Sequence, residues 1–198
     1  MCRLLETIRL ENGILQNIFY HNRRMNASRT ELFNTSDSIQ LEKEITVPEE
    51  LKRGLYRCRV VYGSVIDQIE FLPLSPKNFE RLKIVHDNLI DYHLKFADRS
   101  GLEKLFSLRE KADEIIIVRN GLVTDCTIGN LVFDDGNGWL TPATPLLNGT
   151  QRQALLDKKL IKEAEITERN LPHFLQAGII NVFFDLKNMP RVKITDIF

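Results

Sequence analysis

Apolar and polar residues alternate along Leu4–Leu10, and a second strand-like run follows at Ile14–Tyr20. Between them stands Glu11-Asn12-Gly13, and Asn-Gly flanked by two such runs is a strong hairpin signal. The period then lengthens. Met25, Ser28 and Leu32 fall on one side of a helix over His21–Phe33, with Arg23, Arg24 and Arg29 elsewhere on it. Asn34–Ser38 is a polar breaker, and Ile39–Leu51 is ambiguous, interrupted by Pro48. Strand patterns return at Tyr56–Tyr62, Val65–Phe71 and Arg81–His86. Gly63-Ser64 joins the first two as a tight turn, while Pro73 and Pro76 separate the second from the third. The first half reads as antiparallel strands with one helix.

The second half mixes the two periods. Asp98 or Ser100 is a candidate cap for a helix over Leu102–Arg109. Glu114–Val118 is a short strand of the fully buried type, Asn120-Gly121 a turn, and Leu122–Asp125 and Asn130–Phe133 further strands. Helices are expected over Gly149–Leu160 and Leu171–Ala177, and a last β-type run over Ile179–Leu186. There is no internal repeat and no low-complexity stretch. A boundary near Asn88–Lys95 divides the chain into a small N-terminal α+β domain, residues 1–90, and a mixed C-terminal domain, residues 91–198. The fold class is α+β.

Composition narrows the possible partners. Lys+Arg and Asp+Glu are equal at 27 each in 198 residues. The basic residues form no stripe, so neither nucleic acid nor an anionic membrane is an expected partner. The three cysteines, Cys2, Cys58 and Cys126, are too few and too scattered for a disulfide framework, and no C-x-x-C pair suggests a metal. Arg3, Glu6 and Arg9 break any signal-peptide core, and no apolar run approaches transmembrane length. A reducing, cytoplasmic setting is expected.

Four segments hold candidate chemistry. Lys95 lies in Tyr92-His93-Leu94-Lys95-Phe96-Ala97, where apolar neighbours can desolvate an amine and make it nucleophilic; on its segment alone it reads more readily as a snorkelling surface lysine, since surface lysines are common. Asp125 ends a strand and leads into the small, polar loop Cys126-Thr127-Ile128-Gly129, whose N–H groups can face a phosphate. Gly149-Thr150 opens a helix, where an anion can bind or Thr150 can simply cap. Arg24 follows Tyr20-His21-Asn22-Arg23 and can supply a bidentate phosphate contact or stand as one more helix arginine.

Taken in order, these segments resemble the class IV aminotransferases, the fold-type IV enzymes of pyridoxal 5′-phosphate (PLP). That family includes branched-chain and D-amino-acid aminotransferases and 4-amino-4-deoxychorismate lyase. Leu5-Glu6-Thr7-Ile8-Arg9 is similar to the family's F-E-T-I-R strand, and His21-Asn22-Arg23-Arg24-Met25 to its H-x-x-R-L motif. Tyr92–Arg99 is similar to the segment that carries the reactive lysine. Ala112–Asn130 resembles A-D-E…G-x-V-T-E…N, and Pro145–Arg152 resembles P-L-L-x-G-x-T-R. The match runs from about Leu4 to Leu160.

The resemblance implies a two-domain protein, with a smaller antiparallel N-terminal domain and a larger, barrel-like mixed α/β domain. It implies a Schiff base on Lys95, whose released amine then shuttles the substrate proton, and Asp125 against the pyridine nitrogen. It implies Arg24, Ile128, Gly129, Gly149 and Thr150 around the phosphate, and a homodimer. Arg57 and Arg59 alternate on one strand and so share a face; either can meet a substrate carboxylate, Arg59 being the weakly favoured one. The substrate is a small amine. An amino acid aminotransferase, a 4-amino-4-deoxychorismate lyase that eliminates pyruvate in the folate pathway, and a PLP-binding protein without turnover all remain open. Asp125 stands where the family usually has glutamate. The stretch from Arg24 to Lys95 is short, and Gly178–Asn188 lacks a clear F-x-T-N-S pattern. The cofactor site therefore reads as intact and the substrate site as trimmed.

Overall fold

The structure is a computed structural model that describes residues 2–74 and 79–198. The described chain forms two units: residues 2–74 with Leu94–Asp98, and residues 79–93 with Arg99–Phe198. Where a single boundary near residue 90 was expected, Leu94–Asp98 rejoins the first unit and residues 79–93 go with the second. Pro76 lies outside the described residues.

In the first unit, β1 (Leu4–Glu11) hairpins into a two-residue β2 (Ile14–Leu15). The turn needs two consecutive left-handed residues, and Asn12 (φ 49) and Gly13 (φ 80) supply them. The strand expected to continue to Tyr20 stops at Leu15. Asn17 adopts the left-handed region (φ 54), tolerable for asparagine, and turns the chain into α1 (Ile18–Phe33). The short α2 (Leu41–Glu44) follows, and then β3 (Leu55–Tyr62) and β4 (Ile66–Pro73). Sheet order is β2-β1-β3-β4, with Leu4 opposite Tyr62 and Glu11 opposite Leu55. Alternation puts Leu4, Ile8, Leu10, Cys58 and Val60 into a core with Met25 and Leu41.

Helix α1 differs from its expected wheel at two residues. Leu32 is exposed, whereas Arg29 is 1% exposed. Arg29 is buried because every side of its guanidinium is matched. It donates to the Asp37 carboxylate (2.9 Å), the Ser64 carbonyl (2.7 and 2.9 Å) and Asn26 Oδ1 (3.0 Å).

The second unit holds β5 (Leu82–His86), α3 (Ser100–Phe106), β6 (Glu114–Arg119) and β7 (Leu122–Val123). The chain continues through β8 (Asn130–Asp134), β9 (Trp139–Pro142), α4 (Thr150–Asp157), β10 (Lys162–Ala164), β11 (Gln176–Ile180) and β12 (Arg191–Lys193). β5 pairs in parallel with β6, so it does not extend the antiparallel first half. Ile115, Ile116, Ile117 and Val118 are all fully buried, as expected of a strand covered on both faces. The other sheet has the order β10-β9-β8-β11-β12, antiparallel except for β10 on β9.

Several local expectations are corrected here. α3 begins at Ser100, with Arg99 in the cap position and no side-chain cap from it, where Asp98 or Ser100 was expected to stand. α4 starts at Thr150, with Gly149 in the cap position and no side-chain cap, so Thr150 is not the cap; the helix ends at Asp157, and Lys159 (φ 57) turns the chain away. The helix expected over Leu171–Ala177 is a 3₁₀ segment at Glu168–His173, and β11 has begun by Gln176. The β-run expected to reach Leu186 ends at Ile180, where Asn181–Phe184 folds back on itself (Phe184 N to Asn181 O, 3.0 Å). Among the described residues no helix is long and apolar enough to cross a membrane.

Candidate cofactor site

The first unit gathers an acid, an imidazole, a guanidinium and the Lys95 amine. Glu6 lies on the core face of β1 between Leu4 and Ile8 and is fully buried. Across from it, one turn of α1 presents His21 and Arg24. Arg24 Nε donates to Glu6 Oε1 (2.8 Å) and Nη2 to Glu6 Oε2 (2.5 Å), a two-point fork. The same Oε2 meets His21 Nδ1 at 2.6 Å. Burial alone would raise the Glu6 carboxyl, but the charge and hydrogen bonds of Arg24, helped by His21, bring it down to about 2. His21 is lowered as well, but here burial is the cause. The Arg24 and Lys95 charges add to that against the pull of Glu6. A neutral ring beside an ionised acid carries its proton on Nδ1. Nε2 is buried and has no hydrogen-bond partner.

Lys95 is placed by backbone pairing. Its carbonyl accepts from Leu5 N (2.9 Å), Phe96 bridges Leu4 antiparallel, and Ala97 N donates to Arg3 O (2.9 Å). The segment thus lies along the side of β1 away from β3, at the end opposite β2. Lys95 is half-buried there. Arg57 and Arg59 share the face of β3 turned away from Cys58 and Val60. Arg59 Nη1 donates to Glu70 Oε1 on β4 (2.5 Å), so a substrate carboxylate meeting Arg59 would have to share it with Glu70.

The second unit brings together Asp125, Ile128, Gly129, Gly149 and Thr150. Asp125 sits at the end of the β7 hairpin, pinned to β6 by Thr124 N to Ile117 O and Ile117 N to Asp125 O (both 2.9 Å). Both carboxylate oxygens are fixed: Asn130 Nδ2 donates to Oδ1 (2.8 Å) and Leu147 N to Oδ2 (2.9 Å). Burial pushes this acid up to about 6, against those two bonds and the charge of Arg152.

From Asp125 the loop turns tightly, with Cys126 N bonded to Gly129 O (3.1 Å). The Thr127 carbonyl accepts from Arg99 Nη2 (2.7 Å) and the Ile128 carbonyl from Asn181 Nδ2 (3.2 Å). Carbonyl and N–H point oppositely across a trans peptide, so the Ile128 and Gly129 N–H groups face away from those donors. They lie toward the Cys126 sulfur, whose thiol burial pushes up and they pull down. Thr127 Oγ1 donates to the buried Glu114 carboxylate (2.7 Å), which anchors the turn.

Asn130 ties this loop to the start of α4, since its Nδ2 also donates to Leu147 O (2.8 Å). Close approach explains both glycines. A Cβ on Gly149 would stand 1.9 Å from Asn130 Oδ1, and one on Gly129 would stand 2.4 Å from the Ile180 carbonyl oxygen. Sequence reasoning assigned no role to Glu6, His21, Glu114 or Asn130. One signal was available: Glu6 occupies an apolar-phase position in Leu4-Leu5-Glu6-Thr7-Ile8, and an acid on the core face needs partners.

A small antiparallel sheet under an arginine-bearing helix, with a larger mixed unit holding a buried acid and a glycine-bound helix start, is the architecture of the fold-type IV transaminases. The comparisons agree. The family model for amino-transferase class IV matches residues 92–186. An uncharacterized protein of Haemophilus influenzae (strain ATCC 51907 / DSM 11121 / KW20 / Rd) is 40% identical over 183 residues, covering 91% of this chain and 97% of that one. A crystal structure from Haemophilus somnus 129pt, provisionally assigned as a 4-amino-4-deoxychorismate lyase, is 38% identical, with a TM-score of 0.87 over 92% of this chain and 96% of that one. A Mesorhizobium loti structure, provisionally assigned as an amino-acid aminotransferase, has the same fold at a TM-score of 0.82 over 100% of both chains, with 23% identity. The chain belongs to the class IV aminotransferase family.

Proposed function

We propose that this protein binds PLP and uses it on a small amine, with elimination of pyruvate from 4-amino-4-deoxychorismate as the leading activity. The observation that carries the cofactor reading is the anchored Arg24 guanidinium with the Lys95 amine, both close enough to weigh on the protonation of His21. The donor chemistry supports it further. Arg24 offers a forked cation for a phosphate. The Ile128 and Gly129 N–H groups lie over a thiol, a weak acceptor that a phosphate oxygen would outcompete. α4 opens without a side-chain cap, so its first turn suits an anion held by Gly149 and Thr150. Asp125 is a fixed carboxylate suited to a protonated pyridine nitrogen.

PLP, when bound, withdraws electrons from the carbon that bears the substrate amine. The chain's own part is to hold and to move protons. Lys95 Nζ takes the proton from that carbon. In elimination the bond between the substrate ring carbon and the enolpyruvyl oxygen would then break, the carbocycle would become aromatic, and the departing enolpyruvate would take up the proton and leave as pyruvate. Asp125 would hold the proton on the cofactor's ring nitrogen, and Arg59 would meet a substrate carboxylate. The lyase reading leads because the Haemophilus somnus relative matches nearly the whole chain at 38% identity. Transamination is the second reading, favoured by the family model. The test supplies PLP-loaded protein with 4-amino-4-deoxychorismate and follows pyruvate, beside a panel of amino acids with 2-oxoglutarate. Pyruvate release supports the lyase, amino transfer alone the second reading, and neither product sinks both.

Asp125 makes the cofactor reading pH-sensitive. Its carboxyl is raised from 3.8 to about 6, so it loses its charge as pH falls through about 6. PLP affinity is expected to weaken below that pH, by up to about tenfold per pH unit. Asp125→Asn should bind PLP weakly at pH 7 and lack this component. Titrations of both proteins between pH 5 and pH 8 check this, and parallel curves would refute it. In the cofactor-free protein the sign is opposite. A raised carboxyl favours folding below its unfolded value, and that contribution is lost as pH rises through about 6.

A further inference from the structure

Glu6 is a costly residue to keep. A carboxylate with no exposed surface, placed between Leu4 and Ile8 on the core face of β1, loses its hydration on folding. A leucine would satisfy that position without partners. The structure instead spends two side chains of α1 on it.

We propose that Glu6 is a positioning residue for phosphate recognition, which orients the Arg24 guanidinium before the cofactor arrives. This inference rests on the reading that Arg24 holds the PLP phosphate. The fork joins the Nε–Nη2 edge of Arg24 to both Glu6 oxygens, at 2.8 and 2.5 Å. Two contacts on one edge fix the plane of the guanidinium and therefore the direction of its opposite edge. The Arg24 side chain is 13% exposed and Glu6 0%, so the pair is shielded on the acid side and reachable only from the arginine side.

His21 completes the device. Its Nδ1 holds Glu6 Oε2 at 2.6 Å and prevents the carboxylate from rotating out of the fork. A cation in that place would compete with Arg24 for Glu6, whereas a neutral imidazole donates one hydrogen bond and adds no charge. The buried, unpartnered Nε2 of His21 is the cost of that arrangement. An unrestrained arginine loses its rotamer freedom when it binds; here that loss is met on folding.

The test compares affinities for PLP and for pyridoxal, which lacks the phosphate, by absorbance titration of wild type, Arg24→Ala, Glu6→Gln, Glu6→Asp and the Arg24→Ala/Glu6→Gln pair. Glu6→Gln is expected to lower the preference for PLP over pyridoxal by about thirtyfold, the rotamer freedom of one arginine. The pair should be no worse than Arg24→Ala alone, since Glu6 acts through Arg24. Should Glu6→Gln fail to fold, Glu6→Asp answers instead. It keeps the charge but is too short to span the fork, and it should shift the preference the same way.

If Arg24→Ala leaves the preference unchanged, the phosphate reading of Arg24 falls and this inference with it. If Arg24→Ala lowers the preference but the Glu6 variants weaken both ligands equally, Glu6 is only a core ion pair and the inference alone is overturned. Tighter PLP binding by Glu6→Gln would also overturn it, because repulsion of the phosphate would then outweigh orientation.

Discussion

Lys95→Ala is expected to abolish covalent retention of PLP and to lower turnover by about 10⁴-fold or more, since one amine both joins the cofactor and moves the proton. The fold should survive. The hydrogen bonds that place this segment, Leu5 N to Lys95 O and Ala97 N to Arg3 O, are made by backbone atoms. The half-buried side chain leaves no sealed cavity when it is cut back. The measurement is borohydride reduction of the PLP-treated proteins, followed by the visible spectrum and the mass of the intact chain. Wild type should carry a fixed adduct and the variant none, with unchanged far-UV circular dichroism. A variant that still traps PLP would place the reactive amine on another lysine. A wild type that traps none would remove Lys95 from the chemistry altogether.

How much of this could be read from the sequence depended on the range of the forces involved. Strands β1, β3, β5 and β6 were legible because alternation or an unbroken apolar run is a local pattern, and Asn12-Gly13 marks its turn by backbone sterics alone. Their assignment to sheets was not. β5 looks like another antiparallel strand until β6 is seen to pair with it in parallel. The short strands β9, β10 and β12 span three or four residues, too few for a period to emerge, and they are held by their neighbours. At Leu171–Ala177 a helix was expected. There Pro172 lies in a 3₁₀ segment capped by Thr167 and Asn170, and the chain straightens into β11 directly afterwards.

The candidate site divides the same way. Lys95, Arg24, Asp125, Gly149 and Thr150 were singled out because their order along the chain resembles a family. The residues that hold them were not, because each works through a contact distant in sequence. Glu6 reaches Arg24 across β1 and α1, Glu114 grips Thr127, and Asn130 joins Asp125 to Leu147. A motif states which residues recur; it does not state that Arg24 needs an acid behind it. The structure also changes the weight of Arg59. Its pairing with Glu70 makes it a half-satisfied arginine, so a substrate carboxylate gains less there than at an unpaired cation.

The sharpest test of the second unit is Gly149→Ala, which should cost more in cofactor binding than in stability. The new Cβ would lie 1.9 Å from Asn130 Oδ1, and the atom that must yield belongs to a side chain. Asn130 can swing aside, but it then releases Asp125 and the Leu147 carbonyl together. Asp125 would lose one of the two bonds that hold its carboxyl down and would move further above 6, toward the uncharged form that cannot pair with a ring nitrogen. PLP affinity at pH 7 should drop by about twofold to tenfold, as a rise of about one to two pKa units takes the ionised fraction of Asp125 from roughly nine-tenths down to roughly one-half or one-tenth.

Gly129→Ala makes the contrast. Its Cβ would lie 2.4 Å from the Ile180 carbonyl, which is backbone in a core strand and cannot rotate away. That variant should lose about 3 kcal/mol of stability by overpacking and melt roughly 6–12 °C lower. The double variant Gly149→Ala/Asn130→Ala separates cause from consequence. Removing the Asn130 amide relieves the clash, so stability should partly return, while PLP affinity should stay low because nothing is left to hold Asp125. Recovery of affinity along with stability would mean that Asn130 serves packing alone, and that Asp125 needs no help to keep its charge.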